Sequence, residues 1–343
     1  MKKGILWVGR KGNSKDSFGF AGDRFFNKWM PSQRLFLVCD KFIDQTLFNI
    51  KKDKLFFLDQ EVDVEKYTHA VFAFNAELVT KENYKRIEEV YYWLKQNTKI
   101  KIINKIEDFA RDAQKELYFE HLKNNGLLVP DWKVIESEED LSCIAFPYII
   151  KLNNLHQWKK VHNLNEAREA YKILKATCDE GVVQEGLPLY YKFKDVDIKS
   201  LKFETKIIAV KYIKNFNGRY SSASSVSYVN GKMIYKYSLC STEEEPDAIH
   251  ISDIKDFKHF YEAQSELKKV ISINKQAFEK AKSLSLDTAK IDFLISEKKP
   301  IFLEQGVKIG TSPNIFELEA YYPRMSVHRK YEKILEIILG DHK

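Results

Sequence analysis

Residues that cross-link the chain or interrupt its helices and strands are scarce in this sequence, which has 4 cysteines, 8 prolines and 13 glycines among 343 residues. The cysteines Cys39, Cys143, Cys178 and Cys240 lie far apart, and they form neither a CxxC pair nor a Cys/His pattern with metal-ligand spacing. Structural zinc sites and disulfide frameworks depend on such spacings, so neither is predicted. No internal repeat or low-complexity segment is visible, so a repeat architecture is not predicted either.

Long apolar runs and a large excess of one charge are also missing. No run approaches the length of a membrane span, and Ile5–Val8, which follows two lysines, is too short for a signal peptide. Lysine and arginine number 56 against 49 for aspartate and glutamate, giving a net charge of +7, and the lysines are scattered along the chain. This balance suits small anionic ligands. We therefore expect a cytoplasmic protein with no nucleic-acid or membrane partner.

Apolar and aromatic residues are abundant, at 44% and 13% of the sequence. These proportions and the chain length predict a globular protein of two or three domains. Strand-like and helical segments alternate near the start, which predicts an open parallel α/β sheet in an N-terminal domain of residues 1–103. The predicted elements are the strands Ile5–Val8, Arg34–Cys39, Leu55–Leu58, Ala70–Phe74 and Lys101–Ile103, and a helix over about Lys81–Gln96.

Several conspicuous residues are interpreted as ordinary surface features. The basic loop Gly9–Lys15 resembles a phosphate-binding turn in composition, but it matches neither GxGxxG nor the Walker A pattern. His156 and His162 are interpreted as surface histidines rather than ligands or bases. Three arginines are candidates for holding an acidic substrate, because a guanidinium binds a carboxylate through two hydrogen bonds. They are Arg219, Arg324 and Arg329, and the alternative for each is ordinary surface charge.

Two lysines lie where an ammonium group needs a partner. Asn104 is predicted to open a second helix, which carries Lys115 and ends at Asn125-Gly126. Phe146–Leu152 is predicted to be a buried strand. Its Lys151 would be costly to desolvate unless an anion meets it, and a phosphate group would supply that anion.

The second half of the chain contains strand, hairpin and helix signals. Gly181–Pro188 is predicted to be a strand whose exposed end could offer backbone groups to an adenine edge. Asn230-Gly231 lies between two alternating runs and predicts a hairpin in an antiparallel sheet. The acidic segment Thr242–Pro246 is expected to be mobile. Further helices are predicted over about Asp256–Lys269, Lys275–Ser283 and Val327–Leu339.

The stretch from Leu286 to Gly310 reads as two short apolar strands joined by a charged, proline-containing turn. Asp292 lies in the first strand and Glu304 in the second, and a hairpin would point both carboxylates to the same side. Ionised carboxylates in apolar surroundings need compensation. A shared hard cation such as magnesium would provide it, and so would nearby lysines; this stretch alone favours neither over the other.

The order of these motifs resembles the ATP-grasp superfamily, in particular its ribosomal-protein-modifying glutamate ligases and peptide-maturation ligases. The resemblance covers about residues 104–320. Lys115 is followed by Gly126 and Pro130, as the family's first nucleotide lysine is, and Pro147 precedes Lys151 as in its second motif. The resemblance implies an ATP-grasp fold, in which an N-terminal open parallel α/β domain is followed by two α+β subdomains that clamp the nucleotide. These subdomains are expected at residues 104–186 and 187–343.

The resemblance also implies roles for individual residues. Lys290 stands where the family has an arginine that steers the transferred phosphate, and it is a candidate catalytic residue. A second catalytic lysine falls in Glu204-Thr205-Lys206 or in Asp197-Ile198-Lys199, and Lys206 is preferred because a strand follows it. The implied magnesium ligands are Asp292 and Glu304. The implied ATP-binding residues are Lys115, Lys151, Lys159, Lys160, Gln184, Glu185 and Leu187.

The activity implied by the resemblance is ATP- and magnesium-dependent ligation of a carboxylate to an amine through an acyl phosphate. The substrates would be small molecules or peptides, bound between the N-terminal domain and the metal strands. Two departures are visible: the phosphate loop Asn153–Val161 contains no glycine but a bulky Trp158, and Gly306 replaces the family's asparagine, so that Gln305 or water would take its place. The alternatives are a small-molecule kinase and a nucleotide-binding pseudoenzyme. The sequence indicates neither the substrates nor the oligomeric state.

Overall fold

The computed structural model describes residues 4–9, 48–57, 60–74, 76–188, 196–247, 249, 257–307 and 337. The predicted strand Arg34–Cys39, the basic loop after Gly9 and all but one residue of the predicted helix Val327–Leu339 lie outside these ranges. Within them, no helix is long and apolar enough to cross a membrane.

Among the described residues of the N-terminal part, six strands form two sheets. They are β1 (Gly4–Gly9), β2 (Phe48–Lys51), β3 (Lys54–Phe57), β4 (Gln60–Glu61), β5 (Tyr67–Ala73) and β6 (Lys101–Ile103). Strands β1, β5 and β6 pair in parallel in the order β1–β5–β6, as the sequence predicts. The predicted strand Leu55–Leu58 belongs to another sheet, because β3 pairs antiparallel with β2 and β4. The reason is a tight turn at Lys52 and Asp53, whose φ angles are 47° and 59°.

Helix α1 (Lys81–Asn97) packs on the parallel sheet where a helix is predicted. Thr80 caps its start, since the Thr80 side chain accepts a hydrogen bond from the Asn83 backbone N–H at 3.3 Å. Its buried face recurs at helical spacing, and Tyr91 meets Phe72 of β5 edge-on with 5.2 Å between ring centroids. The buried apolar residues of α1 are Tyr84, Ile87, Val90, Tyr91 and Leu94.

The second predicted helix begins later than Asn104. Asn104 has a left-handed φ of 66° and joins two parts of the fold. Its amide donates to the carbonyl of Phe72 at 2.8 Å and its side-chain oxygen accepts from the Thr288 N–H at 2.8 Å. The helical region is split at Gln114 into α2 (Phe109–Ala113) and α3 (Lys115–Asn124). Lys115 is consequently the first residue of a helix.

A four-stranded antiparallel sheet follows. Its strands are β7 (Trp132–Val134), β8 (Tyr148–Leu152), β9 (Trp158–Val161) and β10 (Ile207–Lys211), in the order β7–β10–β8–β9. Helix α4 (Leu164–Glu180) packs on the face that carries Tyr148, Ile150 and Leu152. Because strand side chains alternate, Lys151 points to the opposite face. The prediction of a strand at Gly181–Pro188 is wrong, because this segment forms only an isolated bridge from Val182 to Asp197.

The C-terminal sheet is also antiparallel. It contains β11 (Ser221–Val229), β12 (Lys232–Ser241), β13 (Thr288–Ser296) and β14 (Lys299–Gly306), in the order β12–β11–β13–β14. The predicted hairpin turn is present at Asn230 and Gly231, with φ angles of 45° and 75°. Helices α5 (Phe257–Ile273) and α6 (Lys275–Leu284) cover one face, where Phe278 of α6 packs on Phe293 and Phe302.

The acidic segment after β12 is held in place rather than mobile. Tyr212 donates a hydrogen bond to the carbonyl of Pro246 at 3.2 Å, and the Ser221 hydroxyl donates to the carbonyl of Glu243 at 2.9 Å. Lys214 forms an ion pair with Glu244. The expectation of mobility is wrong because the backbone carbonyls and the carboxylates of this segment find partners on residues distant in sequence.

Candidate active site

Two acidic side chains meet on the C-terminal sheet. Asp292 of β13 and Glu304 of β14 are direct partners in the antiparallel register, so both point to one face, as the hairpin prediction requires. The other face carries Ile291 and Phe293 in the core beneath α5 and α6. The two carboxylates therefore face away from these helices, with 20% of the Asp292 side chain and 33% of the Glu304 side chain exposed.

Lys290 neutralises Asp292. Its ammonium lies 2.7 Å from Asp292 Oδ2, and the Ser225 hydroxyl of β11 donates to Oδ1. Burial would lower the pKa of Lys290, but the Asp292 carboxylate raises it above its usual range. The sequence left open whether a magnesium ion or a lysine compensates the charge of Asp292. The structure places Lys290 beside it, on the same strand and the same face.

Lys115 neutralises Glu304 from another element. At the start of α3, its ammonium lies 3.2 Å from Glu304 Oε2 and 3.7 Å from Glu77 Oε1, and only 4% of the residue is exposed. Burial would lower the pKa of Lys115, but Glu304 and then Glu77 raise it above its usual range. Burial alone would raise the pKa of Glu304; Lys115, His156 and Lys151 together hold it well below its usual range.

Lys151 approaches the same carboxylates from the middle sheet. Burial, and then repulsion from Lys115, lower the pKa of Lys151 to about 7, while Glu304 and Glu77 oppose the shift. A buried amine with a lowered pKa is stabilised in its charged form when an anion binds beside it. The structure therefore brings together Lys115, Lys151 and Glu304, which the sequence places on three separate elements.

Two residues of this cluster were not predicted. Glu77 lies in a short 3₁₀ helix, Ala76–Leu78, beyond the carboxyl end of β5. A buried carboxylate at the carboxyl end of a parallel strand is the signal that could have identified it. The interpretation of His156 as a surface residue is wrong, because its Nε2 lies 3.5 Å from Glu77 Oε1 with 21% of the side chain exposed.

The hairpin loop between β8 and β9 is fixed by its own side chains. The Asn153 amide donates to both carboxylate oxygens of Glu116, at 2.9 and 3.0 Å, and the Asn154 amide donates to the Thr205 hydroxyl at 2.9 Å. Asn153, Asn154, Leu155 and Gln157 have no exposed surface. A loop built in this way cannot wrap around phosphates as a glycine-rich loop does.

The two lysines that follow the loop point to opposite faces of the sheet. Lys159 lies on the α4 side, 3.8 Å from Glu169 Oε2. Lys160 lies on the Lys151 side, because its partner on β8 is Ile149. Its ammonium donates to the carbonyl of Glu245 at 2.7 Å and pairs with Asp247 at 3.0 Å. The structure thus separates Lys159 from the charged cluster and engages Lys160 with the acidic segment.

The predicted adenine-binding residues differ in whether their backbone groups already form hydrogen bonds within the described structure. The N–H of Gln184 donates to the Thr177 hydroxyl at 3.0 Å, and its carbonyl accepts from the Gln157 amide at 2.6 Å. The backbone of Gln184 is therefore already occupied. For Glu185 and Leu187, the described part of the chain supplies no backbone hydrogen-bond partner. These two residues retain the groups that an adenine edge would need.

The two candidates for the second catalytic lysine lie in different places. The Lys206 N–H donates to the Asn153 side chain at 2.9 Å, which places this residue beside the hairpin loop. Its ammonium lies 3.1 Å from Glu204 Oε2, and 37% of its side chain is exposed. The Asp197–Lys199 segment instead packs at the end of α4, where the Ile198 N–H donates to the Gly181 carbonyl at 2.9 Å.

The donor set fits magnesium only if phosphate or water completes it. The described residues contain no group of three or more His, Cys, Asp or Glu that could hold a metal ion. Gln305 does not replace the missing asparagine, since it pairs with Ile291 on the opposite face and its side-chain oxygen accepts from the Leu286 N–H at 3.1 Å. Magnesium commonly binds through one or two carboxylates together with phosphates and water. Asp292 and Glu304 supply that minimum.

The chain has the ATP-grasp fold, as the arrangement of its strands and the comparison with solved structures show. The ATP complex of D-alanine–D-alanine ligase from Bacillus anthracis has a TM-score of 0.53 and 13% identity, covering 98% of this chain and 96% of that one. Macrocyclase MdnC from Microcystis aeruginosa, bound to the precursor peptide MdnA, has a TM-score of 0.53 and 11% identity, with coverages of 98% and 99%. No family model and no curated protein matches the sequence.

Proposed function

We propose that this protein is an ATP- and magnesium-dependent ligase that joins a carboxylate to an amine. The observation that carries the proposal is the convergence of Lys115 and Lys151, from a helix and from a separate sheet, on the strand pair that holds Asp292 and Glu304. Two ammonium groups facing two acids are what a triphosphate with a divalent cation requires. The likeness to a ligase and to a macrocyclase supports small-molecule or peptide substrates.

In this proposal the residues bind and orient, and none becomes covalently modified. Lys115 and Lys151 would neutralise the phosphates, and Lys290 would exchange its contact with Asp292 for the transferred phosphoryl group. When bound, magnesium would draw the phosphates onto Asp292 and Glu304 and neutralise their charge. The backbones of Glu185 and Leu187 would hold the adenine. Positioning and charge neutralisation of this kind supply most of the catalysis in phosphoryl transfer.

The reaction proposed has two steps. A substrate carboxylate oxygen attacks the γ-phosphorus of ATP, the bond to the β,γ-bridging oxygen breaks, and ADP leaves. The amine then attacks the carbonyl carbon of the acyl phosphate, the C–O bond to phosphate breaks, and an amide and inorganic phosphate form with loss of a proton. Lys206, whose N–H is bound by the Asn153 side chain of the β8–β9 loop, would stabilise the acyl phosphate.

One observation favours a second candidate, a nucleotide-binding protein without turnover. The β8–β9 loop is pinned by buried amides, and Gly306 offers no side chain opposite Lys290. Such a protein would bind the nucleotide through Lys115 and Lys151 but would not release ADP.

Calorimetry and a product assay test these candidates. Binding of AMP-PNP with magnesium is measured first. If no binding is detected at millimolar nucleotide, both the ligase and the nucleotide-binding protein without turnover are rejected. ADP release is then measured with a panel of amino acids and dipeptides and with hydroxylamine as the amine. A ligase releases ADP and forms a hydroxamate, a kinase forms a phosphate ester that hydroxylamine leaves intact, and a pseudoenzyme binds without releasing ADP.

A further inference from the structure

We propose that His156 contacts the terminal phosphates of bound ATP, in the role that backbone N–H groups of a glycine-rich loop would otherwise have. The proposal deepens the proposed function and rests on ATP binding to the same site. It starts from one feature of the β8–β9 loop: of the five residues 153–157, only His156 retains exposed surface.

The other loop residues cannot take this role. The Asn153 amide is bound to Glu116, the Asn154 amide to Thr205, and the Gln157 side chain bridges the Gln184 carbonyl and the Thr177 hydroxyl. Moving the loop onto a ligand would leave these buried groups unpaired, and each unpaired group is costly. The loop is thus a rigid support that presents one side chain.

His156 lies among the charged groups to which the proposed function assigns the phosphates. Its Nε2 lies 3.5 Å from Glu77 Oε1, and the same Glu77 oxygen lies 3.7 Å from the Lys115 ammonium. His156 also interacts electrostatically with Lys115 and with Glu304. Burial lowers the pKa of His156, so the ring of the free protein carries one N–H, and phosphate oxygens bound beside Lys115 and Lys151 would take over this donor from Glu77. Glu77 is the positioning residue, because it orients the ring from the N-terminal part of the fold.

A purely structural role for the pair is the competing explanation. If His156 only fastens the loop to the segment that carries Glu77, its replacement should weaken every nucleotide equally or none. If it contacts the terminal phosphates, the loss should appear with the triphosphate and not with the monophosphate. The comparison of AMP-PNP with AMP therefore distinguishes the two roles.

The test measures dissociation constants for AMP-PNP with magnesium and for AMP in four proteins: wild type, His156→Ala, His156→Gln and His162→Ala. His162 is the matched control, because it is exposed and lies just beyond the same hairpin. We expect His156→Ala to weaken AMP-PNP binding about 10- to 100-fold and to leave AMP unchanged. His156→Gln, which keeps a side-chain N–H, should restore most of the loss, and His162→Ala should match wild type.

Three outcomes would overturn the proposal: an equal loss for AMP and AMP-PNP, an unchanged AMP-PNP affinity in His156→Ala, or no rescue by glutamine. Absence of AMP-PNP binding in wild type would instead reject the proposed function itself. A crystal structure of the wild type with AMP-PNP and magnesium requires no variant. It should place a His156 ring nitrogen within about 3.2 Å of a β- or γ-phosphate oxygen, and a separation beyond about 5 Å would refute the contact.

Discussion

The β13–β14 hairpin and the β8–β9 hairpin both deliver charged side chains to one cluster, but they do so by different means. In β13–β14 the acids Asp292 and Glu304 meet because the register that the turn begins shifts by one residue between Phe293 and Asp292, which brings Glu304 to the face of Asp292. In β8–β9 the loop conformation depends on Glu116 and Thr205, which are distant in sequence. The residues of the hairpin thus predict that β13 and β14 pair, but they predict neither the register shift between the two strands nor the conformation of a loop held by tertiary hydrogen bonds.

The acid pair should show the largest effect. We expect Glu304→Gln to weaken AMP-PNP binding in the presence of magnesium by about 100-fold or more, because it would remove one of the two carboxylates proposed to hold magnesium. Titration calorimetry measures the change, and Glu297→Gln in the exposed turn of the same hairpin is the control. If the two variants bind AMP-PNP with nearly equal affinity, Glu304 is not part of the nucleotide site.

Two lysines of the other hairpin provide a matched comparison. Lys151 faces the cluster, and Lys159 faces α4 near Glu169. Lys151→Met should therefore reduce AMP-PNP affinity about 10- to 100-fold, whereas Lys159→Met should change it less than about twofold. The measurement is the same titration on both variants. A loss of similar size in Lys159→Met would show that the assignment of the two strand faces is wrong.

The rigidity of the β8–β9 loop can be tested by stability. We expect Asn153→Ala to lower the free energy of unfolding by about 1–3 kcal/mol, since the Glu116 carboxylate loses a buried donor at both oxygens. Urea unfolding followed by fluorescence measures the difference. Asn217→Ala is a control in a loop where the amide oxygen accepts hydrogen bonds from the N–H groups of the near neighbours Arg219 and Tyr220. If both variants lower the free energy of unfolding by the same amount, the hydrogen bonds from Asn153 to Glu116 do not stabilise the β8–β9 loop as proposed.

The smallest expected effect is on pH dependence. Lys151 has a pKa of about 7 in the free protein, so above that pH it is mostly neutral, and a bound triphosphate favours its ammonium form. Binding should therefore take up a proton, and the affinity should fall by at most about tenfold per pH unit as the pH rises above about 7. Below that pH Lys151 is already charged and contributes no slope.

Calorimetry in buffers of different ionisation enthalpy measures this proton uptake directly, with Lys151→Met as the control that should lack it. Uptake of the same size in Lys151→Met would assign the proton to another group.

The sequence alone determined that β11 pairs with β12 and β13 with β14, the Asn230-Gly231 turn and helix α1, because the periods of strands and helices and the geometry of tight turns are properties of neighbouring residues. It also placed Lys115, Lys151, Asp292 and Glu304 in order along the chain. Only the tertiary structure decided that Glu77 and His156 join them, that the acidic segment is held, and that Lys159 and Lys160 separate. These depend on contacts between residues far apart in sequence, which local patterns do not encode.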